Sequence, residues 1–295
     1  MISEFLKKHG DYRDDRYFKE LTTIKMGGPI AHYVVPYNIS DLKEIINFAR
    51  KNAISFKILG NGSNLIVGSG AYDGIVISLK RFDNYEINND EVYVESGVLA
   101  PYFSNVMAKA GLSGFEFASG IPGSLGGLIY MNAGAYKKDM SDIIVEVTAL
   151  KDNEVITLKK EELCFSYRHS IFQDHPHWVV LACRLKLSNK EPSEIKELME
   201  NRFNRRMQTQ PLNKPSAGSC FRNPENNFAW KLIDELGYRG KTINGVKVSD
   251  KHSNFIINDG DGKAEDYLKL VYDIQDKVKE KHNIKLIMEV EKFNC

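Results

Sequence analysis

The chain carries none of the familiar phosphate-binding signatures. It has no G-x-x-x-x-G-K-[ST] run, so a P-loop is excluded as a phosphate cradle. It has no G-x-G-x-x-G between a strand and a helix, which leaves a Rossmann dinucleotide turn unsupported. Cysteine is scarce: Cys164, Cys183, Cys220 and Cys295 stand far apart, with no Cys-x-x-Cys pair. Structural zinc and a disulfide framework are therefore not expected, and no metal site is indicated. An excess of either charge is missing too. Lysine and arginine number 40 against 39 acidic residues, a net charge of +1, so neither a nucleic acid nor a polybasic membrane contact has electrostatic support. No apolar run approaches the roughly 20 residues that span a bilayer. The opening MISEFLKKHGDYRDD lacks the apolar stretch of a signal peptide, which points to the reducing cytoplasm.

What is present is an ordinary globular balance, 42% hydrophobic and 27% charged over 295 residues, enough for two or three compact lobes. One stretch departs from it. Residues 120–134 read GIPGSLGGLIYMNAG, with glycines at 120, 123, 126, 127 and 134. A simple loop does not need so many residues without a Cβ interleaved with apolar ones. Backbone must approach something closely there, and its N–H groups can line a nest for an anion. A second run, Leu59-Gly60-Asn61-Gly62-Ser63-Asn64-Leu65, follows an apolar stretch. Alone it is equally well a tight turn. Together the two suggest a ligand whose pyrophosphate lies between two glycine-rich loops.

Periodicity supplies a coarse framework. Ser40-Asp41 before Leu42, Ile45, Ile46 and Ala49 predicts a capped amphipathic helix. Ile54–Leu59, Ile75–Leu79, Val92–Ser96 and Val179–Leu187 read as strands, and Pro101 opens a helix that stops near Gly111. Val145–Leu150 and Val155–Leu158 flank a hairpin turn at Lys151-Asp152-Asn153-Glu154. A helix over Ser193–Met207 precedes a proline-rich stretch at 209–215, the best candidate boundary. Beyond it come a helix from Ala229 to Gly237 and strands at Val246–Val248 and Phe255–Ile257. A long helix with Leu268, Val271, Ile274 and Val278 on one face then leads into a strand at Ile284–Val290.

Several polar clusters remain. Arg168, in Tyr167-Arg168-His169-Ser170, is by base chemistry more often an ion-pair partner than a catalytic cation. Ser219 sits in a proline-bounded loop with no Gly-x-Ser-x-Gly elbow, so a serine hydrolase is a poor fit. His252 reads better as a hydrogen-bonded structural histidine than as an acid–base group. Glu289 would pass for a surface carboxylate.

Five segments in order resemble the UDP-N-acetylenolpyruvoylglucosamine reductase (MurB) family. They are LGNGSNLIV from 59, GIPGSLGGLIYMNAGAY from 120, YRHSIF from 167, PSAGSCFRNP from 215 and KVSDKHSNFIIN from 247. The likeness runs from Thr22-Thr23 to Glu289-Val290. It implies an α+β fold: FAD-binding lobes of the vanillyl-alcohol-oxidase (PCMH) type, over 1–80 and 81–208, and a C-terminal α+β substrate-binding lobe over 209–295. It implies non-covalent FAD, since neither glycine loop contains the His or Cys that a covalent link needs, with NADPH as hydride donor. Gly60, Asn61, Gly62, Ser63 and Asn64 would bind the cofactor. So would Gly120, Ile121, Pro122, Gly123, Ser124, Gly126, Gly127, Asn132, Ala133 and Gly134.

The partner implied is a small molecule, UDP-N-acetylglucosamine enolpyruvate, converted to UDP-N-acetylmuramate in peptidoglycan precursor synthesis. Arg168 would hold the carboxylate on which charge develops, Glu289 would share that task as a neutral acid, and Ser219 would deliver a proton to the adjacent carbon. Tyr167 and Asn223 would contact substrate. The chain resembles a shorter subtype, because only a short link follows Phe172 where longer members carry a tyrosine-bearing insertion. It also departs from the family pattern with Lys137 where glycine is frequent, Arg222 where lysine is frequent, Trp230 at a position usually small, and Thr22-Thr23 for Asn-Thr. The rival expectations are another flavin oxidoreductase of the same fold and a non-catalytic nucleotide-sugar sensor.

Overall fold

The computed structural model describes residues 1–295, which divide into two compact units. The first comprises Met1–Arg13, His32–Asn61 and Gly74–Asn204, the second Asp14–Ala31, Gly62–Asp73 and Arg205–Cys295. Both units set helices beside sheets whose strand pairs are mainly antiparallel, so the α+β class expected is the one observed. No helix is long and apolar enough to cross a membrane.

The first unit is built on two sheets. In one, strand Gly10–Arg13 pairs antiparallel with Pro29–Pro36 over Gly10↔Pro36 to Arg13↔Tyr33, and Phe56–Leu59 runs parallel to Tyr72–Ser78 over Phe56↔Ile75 to Leu59↔Ser78. Helix Ile39–Lys51 buries Leu42, Ile45, Ile46 and Ala49, the face its periodicity predicts. Its cap is Asn38 rather than Ser40. The Asn38 Oδ1 accepts from the Asp41 N–H at 3.0 Å, and asparagine serves that position as well as serine does.

The other sheet is antiparallel, in the order Glu154–Lys159, Ile144–Lys151, Val179–Lys186, Glu91–Glu95, Tyr85–Asn88. The turn expected after Lys151 is present. Asp152 and Asn153 adopt φ of 45° and 71°, the paired left-handed conformation whose twist matches that of flanking strands. Helix Ala100–Lys109 and the short helix Leu125–Tyr130 share a core with this sheet, through Phe103, Met107, Leu125, Leu128, Ile129, Val147 and Cys183. Helix Pro192–Thr209 opens on its proline, which has no N–H to leave unsatisfied.

The second unit holds a four-stranded antiparallel sheet in the order Ser216–Ser219, Phe255–Asn258, Val246–Val248, Thr242–Ile243. Helices Ala229–Glu235 and Ala264–His282 pack against it. The long helix buries Tyr267, Leu270, Val271, Ile274 and Val278, while Leu268 is only half-buried, so the apolar stripe is centred one position away from that residue. Asn283, at φ 55°, ends it.

The expected strand at Ile284–Val290 is different in the structure. That segment pairs only locally, through the bridge Phe221↔Met288, and the regular strand comes later, at Glu291–Phe293, parallel to Leu65–Val67. Burial alternates along the expected segment, but the outward position at 287 is filled by an isoleucine that is 58% exposed.

Candidate active site

In the first unit, strand Phe56–Leu59 delivers the chain to Gly60 and Asn61. The Asn61 Nδ2 donates to the Pro122 carbonyl at 2.6 Å, and a Cβ on Gly60 would lie 2.8 Å from the Ser124 Oγ. The two glycine-rich loops therefore touch. Not every glycine faces outward. A Cβ on Gly126 would meet the Ser96 Cβ at 2.9 Å, and the Gly126 N–H donates to the Ser96 carbonyl at 2.8 Å. A Cβ on Gly134 would overlap Lys138 and Asp139 across its own hairpin. These two are small because protein backbone approaches them. The N–H groups of Gly123 and Leu125 are likewise engaged, with the carbonyls of Ile121 at 2.8 Å and Val98 at 2.9 Å.

A pyrophosphate-bearing group fits this cradle on two observations. The loops meet through small residues, and the buried Ser96 hydroxyl directly beside Gly126 has no hydrogen-bond partner within the protein. Sequence reasoning missed Ser96, which follows a strand with nothing to mark it. Asn132, at φ 39°, holds the end of the second loop in place. Its Nδ2 donates to the Ser166 carbonyl at 3.0 Å, and its Oδ1 accepts from the Ser141 N–H at 3.0 Å. Ile121 and Ala133 are tied by their backbones, to the Ala118 carbonyl at 2.9 Å and the Leu128 carbonyl at 2.8 Å.

Ser166 leads into the turn that carries Arg168. Ser166 and His169 exchange two backbone hydrogen bonds, at 3.2 and 3.1 Å, which leaves Tyr167 and Arg168 at the tip. Arg168 is held in the left-handed region at φ 59°. Its Nη2 donates to the Gly134 carbonyl at 2.9 Å, and its own carbonyl accepts from the Gln173 Nε2 at 3.0 Å. The guanidinium is thus oriented by the second glycine loop, and Tyr167, whose ring centroid lies 5.2 Å from the Arg168 Cζ, is 51% exposed. The structure brings Asn132, Gly134 and Arg168 together inside one unit.

Ser219 and Glu289 belong to the second unit, as do Gly62, Ser63 and Asn64. Gly62, at φ 59°, approaches the Leu21 carbonyl too closely for any Cβ. Asn64 Nδ2 donates to the Glu289 carbonyl at 3.1 Å. Ser219 ends the strand Ser216–Ser219, pairing with Phe255, after an irregularity that includes Gly218 at φ 82°. The chain continues beside 287–289: the Glu289 N–H donates to the Cys220 carbonyl at 2.8 Å and the Arg222 N–H to the Ile287 carbonyl at 2.9 Å. Glu289 therefore stands opposite Cys220, one residue from Ser219. Burial pushes the Cys220 thiol up to about 12, so it is an inert protonated neighbour rather than a nucleophile.

Two supports of this segment carried no role in the sequence reading. Thr23 Oγ1 donates to the Ser216 carbonyl at 2.7 Å. Asn254 grips Phe221 at both backbone groups, accepting from its N–H at 2.9 Å and donating to its carbonyl at 2.8 Å. An asparagine heading an apolar strand was the available signal. Asn223 turns out to have a structural task, its Oδ1 accepting from the Ala229 N–H at 3.1 Å at the start of a helix, which leaves its Nδ2 as the donor for any ligand. His252 is structural, as expected. Its Nδ1 accepts from the Asn254 N–H at 3.3 Å and its ring packs edge-on to Phe255.

Comparison with known proteins follows these features closely. Residues 30–158 match the model of an FAD binding domain, and residues 210–293 match that of the UDP-N-acetylenolpyruvoylglucosamine reductase C-terminal domain. The reductase of Caldanaerobacter subterraneus subsp. tengcongensis is 41% identical over 290 residues, 98% of this chain and 95% of that protein. A reductase of Clostridium botulinum is 42% identical over 277 residues, 94% and 90% of the two chains. The crystal structure of UDP-N-acetylenolpyruvylglucosamine reductase (MurB) from Thermus caldophilus superposes with a TM-score of 0.81 at 33% identity, over 96% of this chain and 98% of that one. With agreement this high along nearly the full length of both partners, the chain belongs to the UDP-N-acetylenolpyruvoylglucosamine reductase family.

Proposed function

We propose that the protein reduces UDP-N-acetylglucosamine enolpyruvate to UDP-N-acetylmuramate, with FAD as resident cofactor and NADPH as hydride source, in the synthesis of peptidoglycan precursors. The observation that carries this reading is the 41% identity to a reductase of that name over 98% of the chain. The four cysteines are free thiols, in keeping with a reducing cytoplasm.

Gly60 to Asn64 and Gly120 to Ser124, with Gly126, Gly127, Asn132, Ala133 and Gly134, would hold FAD without a covalent bond. FAD, when bound, supplies a two-electron carrier between NADPH and the enolpyruvyl double bond. The work of the side chains lies on the substrate. Addition at the terminal CH₂ builds negative charge on the attached carboxylate. Arg168, fixed by Gly134, offers a planar cation that can meet both oxygens. Glu289 would share in stabilising that charge from the opposite side of the site's own strand pairing with Cys220. Ser219 Oγ–H gives the proton to the neighbouring carbon. A hydroxyl is a weak acid, so the role demands positioning, which the pairing with Phe255 supports. Tyr167 and the Asn223 Nδ2 would contact the rest of the substrate.

The test is NADPH oxidation by the purified protein with and without UDP-N-acetylglucosamine enolpyruvate. A yellow protein whose NADPH oxidation depends on that substrate is expected. A colourless preparation, or oxidation that ignores the substrate, would support the nucleotide-sugar sensor or a reductase of another substrate.

A further inference from the structure

A buried polar pair lies beside the Ser219–Glu289 segment, and the chemistry above makes no use of it. Tyr267, on helix Ala264–His282, is 0% exposed, and its hydroxyl oxygen has no hydrogen-bond partner. Its polar neighbour is the thiol of Cys220, also 0% exposed. An unpartnered buried hydroxyl lowers stability, and phenylalanine would fill the same space among Leu270, Val271 and Ile274 without it. Packing therefore supplies no reason for the oxygen.

Its position does. Phe221 and Met288 form the bridge of the local antiparallel pairing, which sets Cys220 opposite Glu289. Residues directly opposite in such a pair send their side chains to the same face, with Cβ atoms about 4.5–5.5 Å apart. Phenol, thiol and carboxyl thus follow one another in the order Tyr267, Cys220, Glu289. Burial raises both the phenol and the thiol, so both stay protonated and uncharged across the range in which enzymes work.

We propose that Tyr267 and Cys220 are positioning residues, a buried neutral donor pair that orients the carboxyl of Glu289 for the substrate step. This rests on the role given to Glu289 above. The phenol O–H turns toward the sulfur and the S–H toward the carboxyl when the site is engaged. In the resting arrangement the phenol is left without a partner, a local loss of stability retained because the site needs the donor.

The experiment compares wild type with Tyr267→Phe, Cys220→Ala and Cys220→Ser in the flavin-loaded protein. Three quantities are read: the melting temperature, the rate at which NADPH bleaches the flavin band, and the rate at which substrate restores it. Tyr267→Phe is expected to melt at or above the wild-type temperature, to bleach at the wild-type rate, and to recover about tenfold more slowly. Cys220→Ala should match it in recovery, and Cys220→Ser, which keeps a donor, should regain part of the rate. Recovery at the wild-type rate in Tyr267→Phe would overturn the proposal. A lower melting temperature with both rates reduced alike would also overturn it, as the hydroxyl would then be a structural bond. A wild-type protein bleached by NADPH but not restored by the substrate would remove the underlying reading of Glu289 as well.

Discussion

The side chain of Asn254 pairs with Phe221 as a neighbouring strand would, giving and taking one hydrogen bond at 2.8 and 2.9 Å. Both residues are buried, so these backbone groups have no water to fall back on. The segment from Ser219 to Arg222 is thereby held on one side by Asn254 and on the other by 287–289. Asn254→Ala leaves a buried N–H and a buried C=O unpaired, at about 1–3 kcal/mol each. Urea unfolding should show a loss of about 2–6 kcal/mol, and kcat should fall further than KM rises, because Ser219 loses its fixed position.

Ser219→Ala removes a half-buried hydroxyl at the end of a strand and leaves the Gly218 turn untouched. Stability should change by no more than about 0.5 kcal/mol. Stopped-flow absorbance should show the flavin bleached by NADPH at the wild-type rate, and its recovery with substrate slowed on the order of 10²-fold or more. Normal turnover in this variant would take Ser219 out of the mechanism.

Lys137 sits in a backbone conformation that penalises a side chain. It and Tyr136 form the two-residue turn between Gly134–Ala135 and Lys138–Asp139, at φ 57° for Tyr136 and 61° for Lys137. Left-handed conformations at both positions favour glycine. Lys137→Gly should stabilise the protein by about 1 kcal/mol, read from the urea midpoint. Tyr136→Gly should not, since it also removes the bond from the Tyr136 hydroxyl to the Arg202 carbonyl at 3.0 Å.

His252 gives the stability a pH dependence. Burial, with the Arg239 cation second, holds its pKa below the ordinary 6.5. The unfolded chain therefore binds a proton at a higher pH than the folded one does. The contribution is present in full above about 6.5 and is lost as pH falls through the lower folded value. Protonation of Nδ1 would also turn the acceptor for the Asn254 N–H into a donor. His252→Gln should flatten the decline of the urea midpoint between neutral and mildly acidic pH, and an unchanged slope would contradict this.

The legibility of the chain varied with the physics at each place. The Asp152-Asn153 turn could be read because both residues tolerate the left-handed region and strands flank them. The face of helix Ala264–His282 could be read from its period, apart from the misplaced Leu268. The glycines of 120–134 could be read as close approaches, but not as approaches to what. Gly126 adjoins Ser96 and Gly134 adjoins its own hairpin, and a missing Cβ looks the same whether ligand or protein fills the space. Ser96, Thr23 and Asn254 support the loops from distant parts of the sequence, where no local pattern announces a partner. Glu289 stood out only through likeness to a family.

Asn64 and Glu289 are joined across 225 positions of sequence. The unit that contains them takes Asp14–Ala31 and Gly62–Asp73 from early in the chain and everything from Arg205 onward. During translation those early pieces leave the ribosome long before their strand partner at Glu291–Phe293 exists. They must wait, with apolar residues such as Ile24 and Ile66 uncovered, until the chain has been made past Phe293. Such late closure makes for slow maturation and a window for aggregation or chaperone capture.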